Sequence, residues 1–579
     1  MHRSLWNTLC LALSIIGQGG RARGEASCSG IFAAITAQDY VHSLSPGWNL
    51  GNTLDAFPME GSWNNPVVTA DTFADVKNSG YNSVRIPVTW AYHFTGSSNQ
   101  GDSPLWTVDP TWLDRVSAVV DMATAQGLYV IVNVHHDSAL WADFTAAGAN
   151  QTLIEEKFYQ LWYQIGTKLG CKGAQVAFEA INEPRSSTDA DYAFLHQLQD
   201  VFLQAINNAG GFNSQRVITV AGPGQDLTAT IERFTAPDSN FTNPWTIQVH
   251  YYAPYDFTSA AWGKTIWGSA DDKAAMDSAF SSLRAKFPNI PLIVGEWSAS
   301  PVITEPAARW KYIDFLARTA AKYDAALIVW DAGVDVLNHS AHTWYDITAV
   351  NIVRNAIQGI SNSLPDSTTD PSATTQQSSA FIFNQVGSSV GDQSLPFLLN
   401  GNTVTSITID STMLTTGNQY SVSGNNIIFT ASFLSGYLSS TATPGIKGTL
   451  SISFSAGIII PVQIVQWEPP VLSSASSKAI AGADLVVPVT WQGMAQVATV
   501  KAVKADGTFL VDDWTVWLPP IQQGRTTFGG SWTWSVGQAG FTITSTAVNA
   551  VIAAGQATQF TVEAYPRVAG NSATYTLNP

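Results

Sequence analysis

The stretch FEAINEP, residues 178–184, joins a buried strand to a polar cluster. The apolar, strand-like run from Val176 to Ile181 ends abruptly in Asn182, Glu183 and a proline that a helix interior would not accommodate. A carboxylate held at the end of a buried strand is costly unless chemistry uses it. Glu183 is therefore a candidate catalytic acid, and the alternative is a glutamate that only caps the next element.

A second stretch repeats this pattern. LIVGEWS, residues 292–298, is an apolar strand that ends in an acid, Glu296. Two strands that end in the same way favour a shared catalytic role for Glu183 and Glu296 over two separate capping roles.

Between Ser45 and about Ile360, strand-like runs alternate with helical patterns. Asp109 followed by a proline predicts the start of one helix, and Thr152 with Glu155 predicts a capping box at the start of another. The strand candidates number eight: PGWNLGN, SVRIPVTW, YVIVNVHH, QVAFEAINEP, RVITVAGP, TIQVHYYAP, LIVGEWS and ALIVWDAG. Eight strand-helix units predict an α/β fold, the (β/α)8 TIM barrel, because an open sheet would need a glycine-rich nucleotide loop that GWNLGNTLD does not supply.

The strand ends carry the polar residues of this predicted barrel. Active sites of such barrels form at the carboxyl ends of the strands, so these side chains are expected to meet at one mouth. They are Asn49, Asn52, Arg85, His135, His136, Asn182, Glu183, His250, Tyr252, Glu296 and Trp330.

The adjacent histidines His135 and His136 raise the alternative of a metal site. Neighbouring residues on a strand point to opposite faces, and the sequence offers no carboxylate or cysteine pattern that completes a ligand set. We therefore expect no metal and no cofactor, and a hydrogen-bonding role for the pair. His250 and Tyr252 are two apart and share a face, so Tyr252 could hold the nucleophile while His250 tunes the acid.

Two facing carboxylates suit cleavage of a glycosidic bond. One protonates the leaving oxygen and the other attacks the anomeric carbon, and retaining enzymes hold the two roughly 5 to 5.5 Å apart. We expect desolvation by the barrel walls to raise the pKa of the acid Glu183, and Arg85 to keep the nucleophile Glu296 ionised. Trp330, at the end of the eighth strand, is a candidate platform for a sugar ring or a plain core residue.

The composition limits the choice of partner. Charged residues make up 12% of the 579 residues, aromatic residues 11%, and the formal net charge is −16. This acidic balance argues against nucleic acid or an anionic membrane as a partner and fits an uncharged substrate such as a polysaccharide. We expect the protein to be a monomer.

The N-terminus predicts a signal peptide, residues 1–26, and a secreted, extracellular protein. A membrane anchor is the alternative, but the apolar run is short for a bilayer and contains Asn7 and Thr8. Cys28 and Cys171 remain once the signal is removed and could form one disulfide or stay as two buried thiols. Sequons for N-glycans stand at Asn150, Asn240 and Asn338.

The chain beyond the barrel divides into three further parts. Residues 361–379 are rich in Ser, Thr and Pro and are predicted to be a linker. Residues 380–468 show period-two strands and a hairpin signal at 423–426, which indicate an immunoglobulin-like β-sandwich. Residues 469–579 are predicted to be a second β-sandwich that binds carbohydrate or folds back to extend the cleft. Its tryptophans are Trp491, Trp514, Trp517, Trp532 and Trp534.

The barrel resembles glycoside hydrolase family 5, of clan A, in its endo-β-1,4-glucanase branch. The motifs that carry this resemblance, in order, are GWNLGNTLDA, VRIPVTW, VIVNVHHD, FEAINEPR, VHYYAPYDF, LIVGEWS and VWDAG. The resemblance implies a catalytic domain over residues 27–360 and a retaining mechanism. It implies Glu183 as acid/base and Glu296 as nucleophile. The supporting set it implies is Arg85, His135, Asn182, His250 and Tyr252, with Asn52, Asp55, His136 and Trp330 as sugar contacts.

The chain departs from the commonest family pattern at Ala332, where an asparagine is expected, and in the sequon at Asn338 in the following loop. The two C-terminal modules resemble the immunoglobulin-like module and the family 46 carbohydrate-binding module of some bacterial enzymes of this branch. VPVTWQG, VKAVKADG and DDWTVW carry the second match.

These observations predict a secreted endo-β-1,4-glucanase, a cellulase that acts on cellulose or a related β-glucan. A xyloglucanase or mannanase that uses the same two glutamates is the alternative, because spacing does not resolve the flanking subsites. A protein of another class, which binds wall polysaccharide without turnover, is the remaining alternative.

Overall fold

The computed structural model describes residues 25–96, 100–259, 262–526, 528–534 and 540–579. Residues 1–24 of the predicted signal peptide lie outside this range. Among the described residues, no helix has the length and apolar character that a bilayer crossing requires.

The first part of the chain is a closed barrel of eight parallel strands in sequential order, as predicted. Each strand overlaps one of the eight predicted runs, in the same order. The strands are β1 (Gly47–Asn49), β2 (Ser83–Ile86), β3 (Tyr129–Asn133), β4 (Val176–Glu179), β5 (Ile218–Asp226), β6 (Trp245–His250), β7 (Leu292–Glu296) and β8 (Ala325–Val329).

Helices surround the barrel. They are α1 (Ala37–His42), α2 (Ala70–Asn78), α3 (Pro110–Ala125), α4 (Gln151–Leu169), α5 (Asp189–Asn208), α6 (Leu227–Arg233), α7 (Tyr255–Thr258), α8 (Ala270–Lys286), α9 (Pro306–Lys322) and α10 (Ile347–Ile357). A two-stranded sheet of β9 (Leu337–Asn338) and β10 (Thr343–Trp344) follows β8.

Two predicted helix starts had different outcomes. The start at Asp109 is confirmed, because its side chain accepts a hydrogen bond from the Thr111 N–H and Pro110 opens α3. The capping box at Thr152 is wrong. The helix α4 begins at Gln151, and its cap is Asn150, two residues before Thr152. The Asn150 side chain accepts a hydrogen bond from the Leu153 N–H.

The amino-terminal end of the barrel is closed by α1. Tyr40, Val41 and Leu44 pack against the lowest layer of inward-facing strand residues, and the Tyr40 hydroxyl donates to the Val130 carbonyl at 2.8 Å. Cys28 and Cys171 form a disulfide, which ties the segment before α1 to the end of α4. With this end filled by apolar side chains, the opposite end is left for polar residues.

The second module is a β-sandwich, as predicted. Its strands are β11 (Leu364–Pro365), β12 (Phe381–Gln385), β13 (Gln393–Leu398), β14 (Val404–Ile409), β15 (Thr412–Met413), β16 (Tyr420–Ser423), β17 (Asn426–Phe429), β18 (Gly445–Phe454) and β19 (Ile460–Trp467), with a short helix α11 (Ala431–Leu434). They form sheets of order β11-β13-β17-β16 and β12-β19-β18-β14-β15. The hairpin predicted at 423–426 joins β16 to β17.

The third module is also a β-sandwich. Its strands are β20 (Val471–Leu472), β21 (Ser476–Lys478), β22 (Leu485–Thr490), β23 (Val497–Lys504), β24 (Trp532–Thr533), β25 (Gly540–Ile543), β26 (Thr558–Ala564) and β27 (Ser572–Asn578), with helix α12 (Ser545–Ala554). The sheets have the orders β20-β22-β25-β24 and β21-β27-β26-β23. Trp532 and Trp534 lie in the core between them, whereas Trp517 is 86% exposed.

The segment 361–379 differs from the predicted linker. Leu364 and Pro365 form β11, an edge strand paired with β13 of the second module. Lys311 of α9 donates to the Asp366 carboxylate, and the Ser378 hydroxyl donates to Glu305. The polar side chains that cannot form a core of their own are instead bound by charged groups of the barrel.

The third module folds back onto the barrel, which is one of the two predicted alternatives. Val302 and Ile303, from the loop after β7, are part of the third module's apolar core. The Trp534 indole N–H donates to the Val302 carbonyl at 2.9 Å. The module therefore rests on the loop that follows Glu296.

Candidate active site

The two predicted carboxylates face each other at the carboxyl end of the barrel. Glu296 is the last residue of β7, and Glu183 follows β4 by four residues. One carboxylate oxygen of each, and one ring nitrogen of His250, all lie within 4.8 Å of one another. The Nδ1 of His250 is 2.7 Å from Glu183 Oε1 and 3.5 Å from Glu296 Oε2, so this ring bridges the pair.

Arg85 lies beneath this pair and is fully buried. Its Nη1 donates to Glu296 at 2.6 Å and to Asn49 at 3.0 Å, and its Nη2 donates to Asn182 at 2.7 Å. Its remaining two donors go to Glu179, from Nε at 2.6 Å and from Nη2 at 2.8 Å. All five guanidinium N–H groups therefore have acceptors, which fixes the side chain in one orientation.

The backbone at Glu183 is in the left-handed region, with φ of +40°. A non-glycine residue in this conformation carries strain of about 1–3 kcal/mol, and it persists only where its surroundings hold it. The Glu183 N–H donates to the side chain of Gln225 at 2.7 Å, and the Asn182 N–H donates to the Val134 carbonyl at 2.9 Å. The turn after β4 is thus fixed from both sides.

The two glutamates have opposite pKa shifts. Burial raises the pKa of Glu296, aided by the nearby charge of Glu183 and opposed by His250 and Arg85. Burial alone would raise the pKa of Glu183 too, but the hydrogen bond and charge of His250 outweigh it, and that pKa is lowered. The sequence-based expectation was the reverse. It is wrong for the free enzyme because the Glu183 side chain is 47% exposed, against 8% for Glu296.

Tyr252 reaches the same pair. Its hydroxyl donates to Glu296 Oε2 at 3.1 Å. Burial, together with the charge of Glu296, raises the pKa of Tyr252 well above its ordinary value. The phenol is therefore a fixed donor to Glu296, which is the contact the sequence predicted.

His135 and His136 do not point to opposite faces as predicted. The strand β3 ends at Asn133, and the turn that follows brings the two rings to 4.6 Å from each other. His136 Nε2 lies 3.3 Å from Asp55 Oδ2, and the three side chains could present one ligand atom each within 4.8 Å of one another. Both Asp55 oxygens already accept backbone N–H groups, from Asn52 and Thr53, so the cluster is held together by hydrogen bonds of its own.

Trp330 forms one side of the cleft. Its indole is parallel to the His135 ring, with centroids 5.6 Å apart, and burial lowers the pKa of His135 well below its ordinary value, so the ring is neutral. Gly51 is required here, because a Cβ at that position would lie 2.7 Å from the indole. The Asn64 side chain bridges Asn52 Nδ2 and the Ala332 carbonyl, which joins the loops after β1 and β8.

The structure brings all eleven predicted site residues to this end of the barrel. Sequence reasoning missed Glu179, Asn133 and Gln225, which form a buried layer below them. The signal for Glu179 was a charged residue inside an otherwise apolar strand, in FEAINEP itself.

The cleft continues toward the third module. A cavity of 660 Å³ is bounded on the barrel side by residues that include Tyr252 and Trp330, and on the other side by Phe528, Thr533 and Trp534. The indoles of Trp514 and Trp262 are in edge contact across the same interface, at 4.9 Å. The third module therefore forms part of the wall of this cavity.

Comparison with known proteins agrees with this geometry. The family described as cellulase, glycosyl hydrolase family 5, matches residues 49–335, and carbohydrate binding domain X2 matches residues 376–464, the predicted immunoglobulin-like module. Endoglucanase B of Paenibacillus lautus is 29% identical over 490 residues, which cover 81% of this chain and 81% of that protein.

Solved structures agree as well. A tri-modular endo-β-1,4-glucanase of family 5, subfamily 4, from Bacillus licheniformis in complex with cellotetraose is 30% identical, with a TM-score of 0.82 over 94% of this chain and 99% of that one. A family 5 xyloglucanase from Paenibacillus pabuli is 28% identical, with a TM-score of 0.51 over 55% of this chain and 99% of that one. The chain belongs to glycoside hydrolase family 5, and its fold and modules are those of a polysaccharide-degrading enzyme.

The contact between His250 and Glu183 predicts how Glu183 titrates. Replacing His250 by alanine removes both the hydrogen bond and the charge that lower the pKa of Glu183, so that pKa should rise. Carboxyl carbon NMR of protein labelled at the glutamate side chains, assigned with Glu183→Gln, measures this. His42→Ala, which removes a histidine from α1 at the other end of the barrel, is the control. An unchanged Glu183 titration in His250→Ala would contradict the assignment of cause.

Proposed function

We propose that the protein is a secreted endo-β-1,4-glucanase that cleaves internal bonds of cellulose or a related β-glucan by double displacement. The observation that carries this proposal is that one carboxylate oxygen of Glu183 lies within 4.8 Å of one carboxylate oxygen of Glu296. This separation suits a retaining pair, whereas an inverting pair needs roughly 6.5–9.5 Å to admit a water molecule between carboxylate and sugar.

In the proposed first step, Glu296 attacks the anomeric carbon while Glu183 gives its proton to the leaving oxygen. The bond to the departing chain breaks and an ester to Glu296 forms. Arg85 at 2.6 Å and Tyr252 at 3.1 Å hold the attacking carboxylate in place. In the second step Glu183 takes a proton from water, and the water oxygen displaces Glu296 from the sugar.

The acid role requires a protonated Glu183, although its pKa is lowered in the free enzyme. A bound sugar chain removes solvent from the site, and Glu183 is the carboxylate with solvent left to lose, since its side chain is 47% exposed. Desolvation favours the neutral acid, so substrate binding raises the pKa of Glu183 toward the protonated state that the first step needs.

The remaining predicted residues are proposed as sugar contacts and supports. Trp330 offers an aromatic face beside the carboxylates, and Asn52 and His136 offer polar groups along the same side. Asp55, predicted as a sugar contact, is fully buried and supports the Asn52 turn and His136 instead. His135 and Asn182 support these from below. Aromatic faces suit the apolar surface of a glucose ring, and amide and carboxylate groups suit its hydroxyls.

The third module is proposed to bind the same polysaccharide. Its turn Asp513–Trp517 carries Trp517, 86% exposed, and Trp514, 41% exposed. An indole exposed to this extent is costly in water and suits stacking on a sugar ring. Other residues of the module line the cavity of 660 Å³ that borders Tyr252, the residue whose hydroxyl donates to Glu296.

A xyloglucanase is the second candidate. The same cavity, bounded by Trp330 and by Trp534 of the third module, offers room for the side branches of a xyloglucan beside its glucan backbone. A family 5 xyloglucanase is also among the similar structures. A mannanase would use the same two glutamates. Rates on a panel of cellulose derivative, mixed-linkage glucan, xyloglucan and mannan separate these substrates, and binding without release of reducing ends would instead indicate a non-catalytic protein.

Secretion is supported by the disulfide between Cys28 and Cys171, since such bonds persist in oxidising compartments. We also propose that the chain divides into a catalytic domain over residues 27–360 and two modules over residues 380–468 and 469–579. The sequons at Asn150, Asn240 and Asn338 are proposed glycan sites, of which Asn150 and Asn240 are exposed.

Replacing either glutamate should abolish turnover. Glu183→Ala and Glu296→Ala should each lose at least about 1,000-fold in kcat on soluble cellulose derivatives, because each removes a group that acts in the transition state. With azide and an activated aryl cellobioside, Glu296→Ala should form the α-glycosyl azide and Glu183→Ala the β-glycosyl azide. Glu155→Gln, in α4 on the outside of the barrel, is the control. More than about a thousandth of the activity in either alanine variant would contradict the proposal.

Trp517 should matter for polysaccharide capture and not for chemistry. Trp517→Ala should weaken binding to insoluble glucan about 10-fold, the loss of one stacking contact. Hydrolysis of short soluble cello-oligosaccharides should stay unchanged. Val486→Ala, also an exposed apolar side chain of the third module, is the matched control. Unaltered binding by Trp517→Ala would remove the proposed platform.

A further inference from the structure

Glu179 is a third buried carboxylate that the double-displacement mechanism does not use. It is the last residue of β4 and is 1% exposed. Its Oε2 accepts from Arg85 Nε at 2.6 Å. Its Oε1 accepts from Arg85 Nη2 at 2.8 Å, from Gln225 Nε2 at 3.1 Å and from Asn133 Nδ2 at 3.4 Å.

One set of contacts leads from Glu179 to Glu296. The bidentate ion pair between Glu179 and Arg85 fixes the plane of the Arg85 guanidinium. Arg85 Nη1 then donates to Glu296 Oε1 at 2.6 Å. Fork-like pairs of this kind add geometric specificity as well as energy. The position of the Glu296 carboxylate is therefore tied to that of Glu179 through one rigid group.

A second set leads from Glu179 to Glu183. The amide of Gln225 donates to Glu179 from Nε2 and accepts the Glu183 backbone N–H at Oε1, at 2.7 Å. Glu183 is the residue with φ of +40°, so this hydrogen bond acts where the backbone is strained. Gln225 is itself fully buried, and no solvent competes for its amide.

We propose that Glu179 is a positioning residue for both catalytic glutamates. It fixes the position of Glu296 through Arg85 and that of Glu183 through Gln225. This inference rests on the function proposed above. The hydrogen bonds of Glu179 go to Arg85, Gln225 and Asn133, and the first two of these residues in turn bind the two glutamates.

The charge of Glu179 also matters for Glu296. The charged and titratable groups that face Glu296 are Arg85 from β2, Glu183 after β4, and His250 and Tyr252 at and after β6. Arg85 is shared between Glu179 and Glu296, so its positive charge is partly neutralised before it acts on Glu296. Without the Glu179 charge, Arg85 would favour ionised Glu296 more strongly, and Glu296 would become a weaker base and nucleophile.

The test is Glu179→Gln in the full chain. An amide at this position presents an N–H to donors of Arg85 or Gln225, which breaks the pattern without a change in size. We expect kcat on soluble cellulose derivatives to fall about 10- to 100-fold, the usual cost of a misplaced supporting group. We also expect the acidic limb of the kcat/KM profile to move to lower pH.

Glu60→Gln is the matched control. The Glu60 carboxylate makes the same two-pronged pair, with Arg115 Nε and Nη2 donating at 2.8 Å each, against the outer helix α3. A merely structural Glu179 would behave like Glu60, with a lower melting temperature and an unmoved acidic limb. That result in a folded Glu179→Gln would overturn the inference.

Gln225→Met tests the second set of contacts and also serves if Glu179→Gln does not fold. It leaves the contacts of Arg85 in place, so the acidic limb should not move. Its kcat/KM should fall more on cello-oligosaccharides, whose poor leaving group needs the acid, than on dinitrophenyl β-cellobioside, whose leaving group does not. Equal losses on both substrates would contradict the route through Gln225. Full activity in Glu183→Ala or Glu296→Ala would instead refute the proposed function itself.

Discussion

A fully buried guanidinium with five satisfied N–H donors is the interaction on which this active site depends. Arg85 rises from β2 and binds acceptors on β1, on β4 and the turn after it, and on β7. A buried cation with an unmatched donor would cost several kcal/mol, so each acceptor is required by the others. The closed barrel meets this requirement, because only a closed barrel brings the ends of these strands around one centre.

The location of the site could be predicted from the sequence because strand ends are marked by an abrupt change from apolar to polar residues. FEAINEP and LIVGEWS placed Glu183 and Glu296 at the carboxyl end of the barrel, the other strand ends supplied eight further residues, and the family resemblance added Asp55. The predictions that were wrong depend on distances between residues that only the folded structure sets. The pKa directions of the two glutamates reversed, because exposure and the position of His250 decide them. The histidine rings converge because β3 ends two residues before them.

Glu179 shows the other limit of sequence reasoning. It lies in FEAINEP, where a charged residue inside an otherwise apolar strand marks the position but not its role. Its role depends on Arg85 and Gln225, which come from β2 and β5 and are distant in the chain. The prediction of a linker over 361–379 shows the same limit. Its composition predicts no core, and the groups that bind it, Lys311 and Glu305, belong to another part of the chain.

Both C-terminal modules pack against the barrel. The third module takes Val302 and Ile303, from the loop after Glu296, into its own core and forms one wall of the cavity beside Tyr252 and Trp330. The second module shares a continuous apolar core with the barrel. This packing joins the third module to the loop that follows the proposed nucleophile.

The central claim is that Glu183 and Glu296 act as a retaining pair, and the anomeric configuration of the first product tests it most directly. Proton NMR during the first minutes of hydrolysis of a cello-oligosaccharide distinguishes the α- and β-anomers of the new reducing end before mutarotation mixes them. A separation within 4.8 Å predicts that the β-anomer forms first. Initial formation of the α-anomer would contradict the account, because it would require a water molecule between carboxylate and sugar that this separation does not admit.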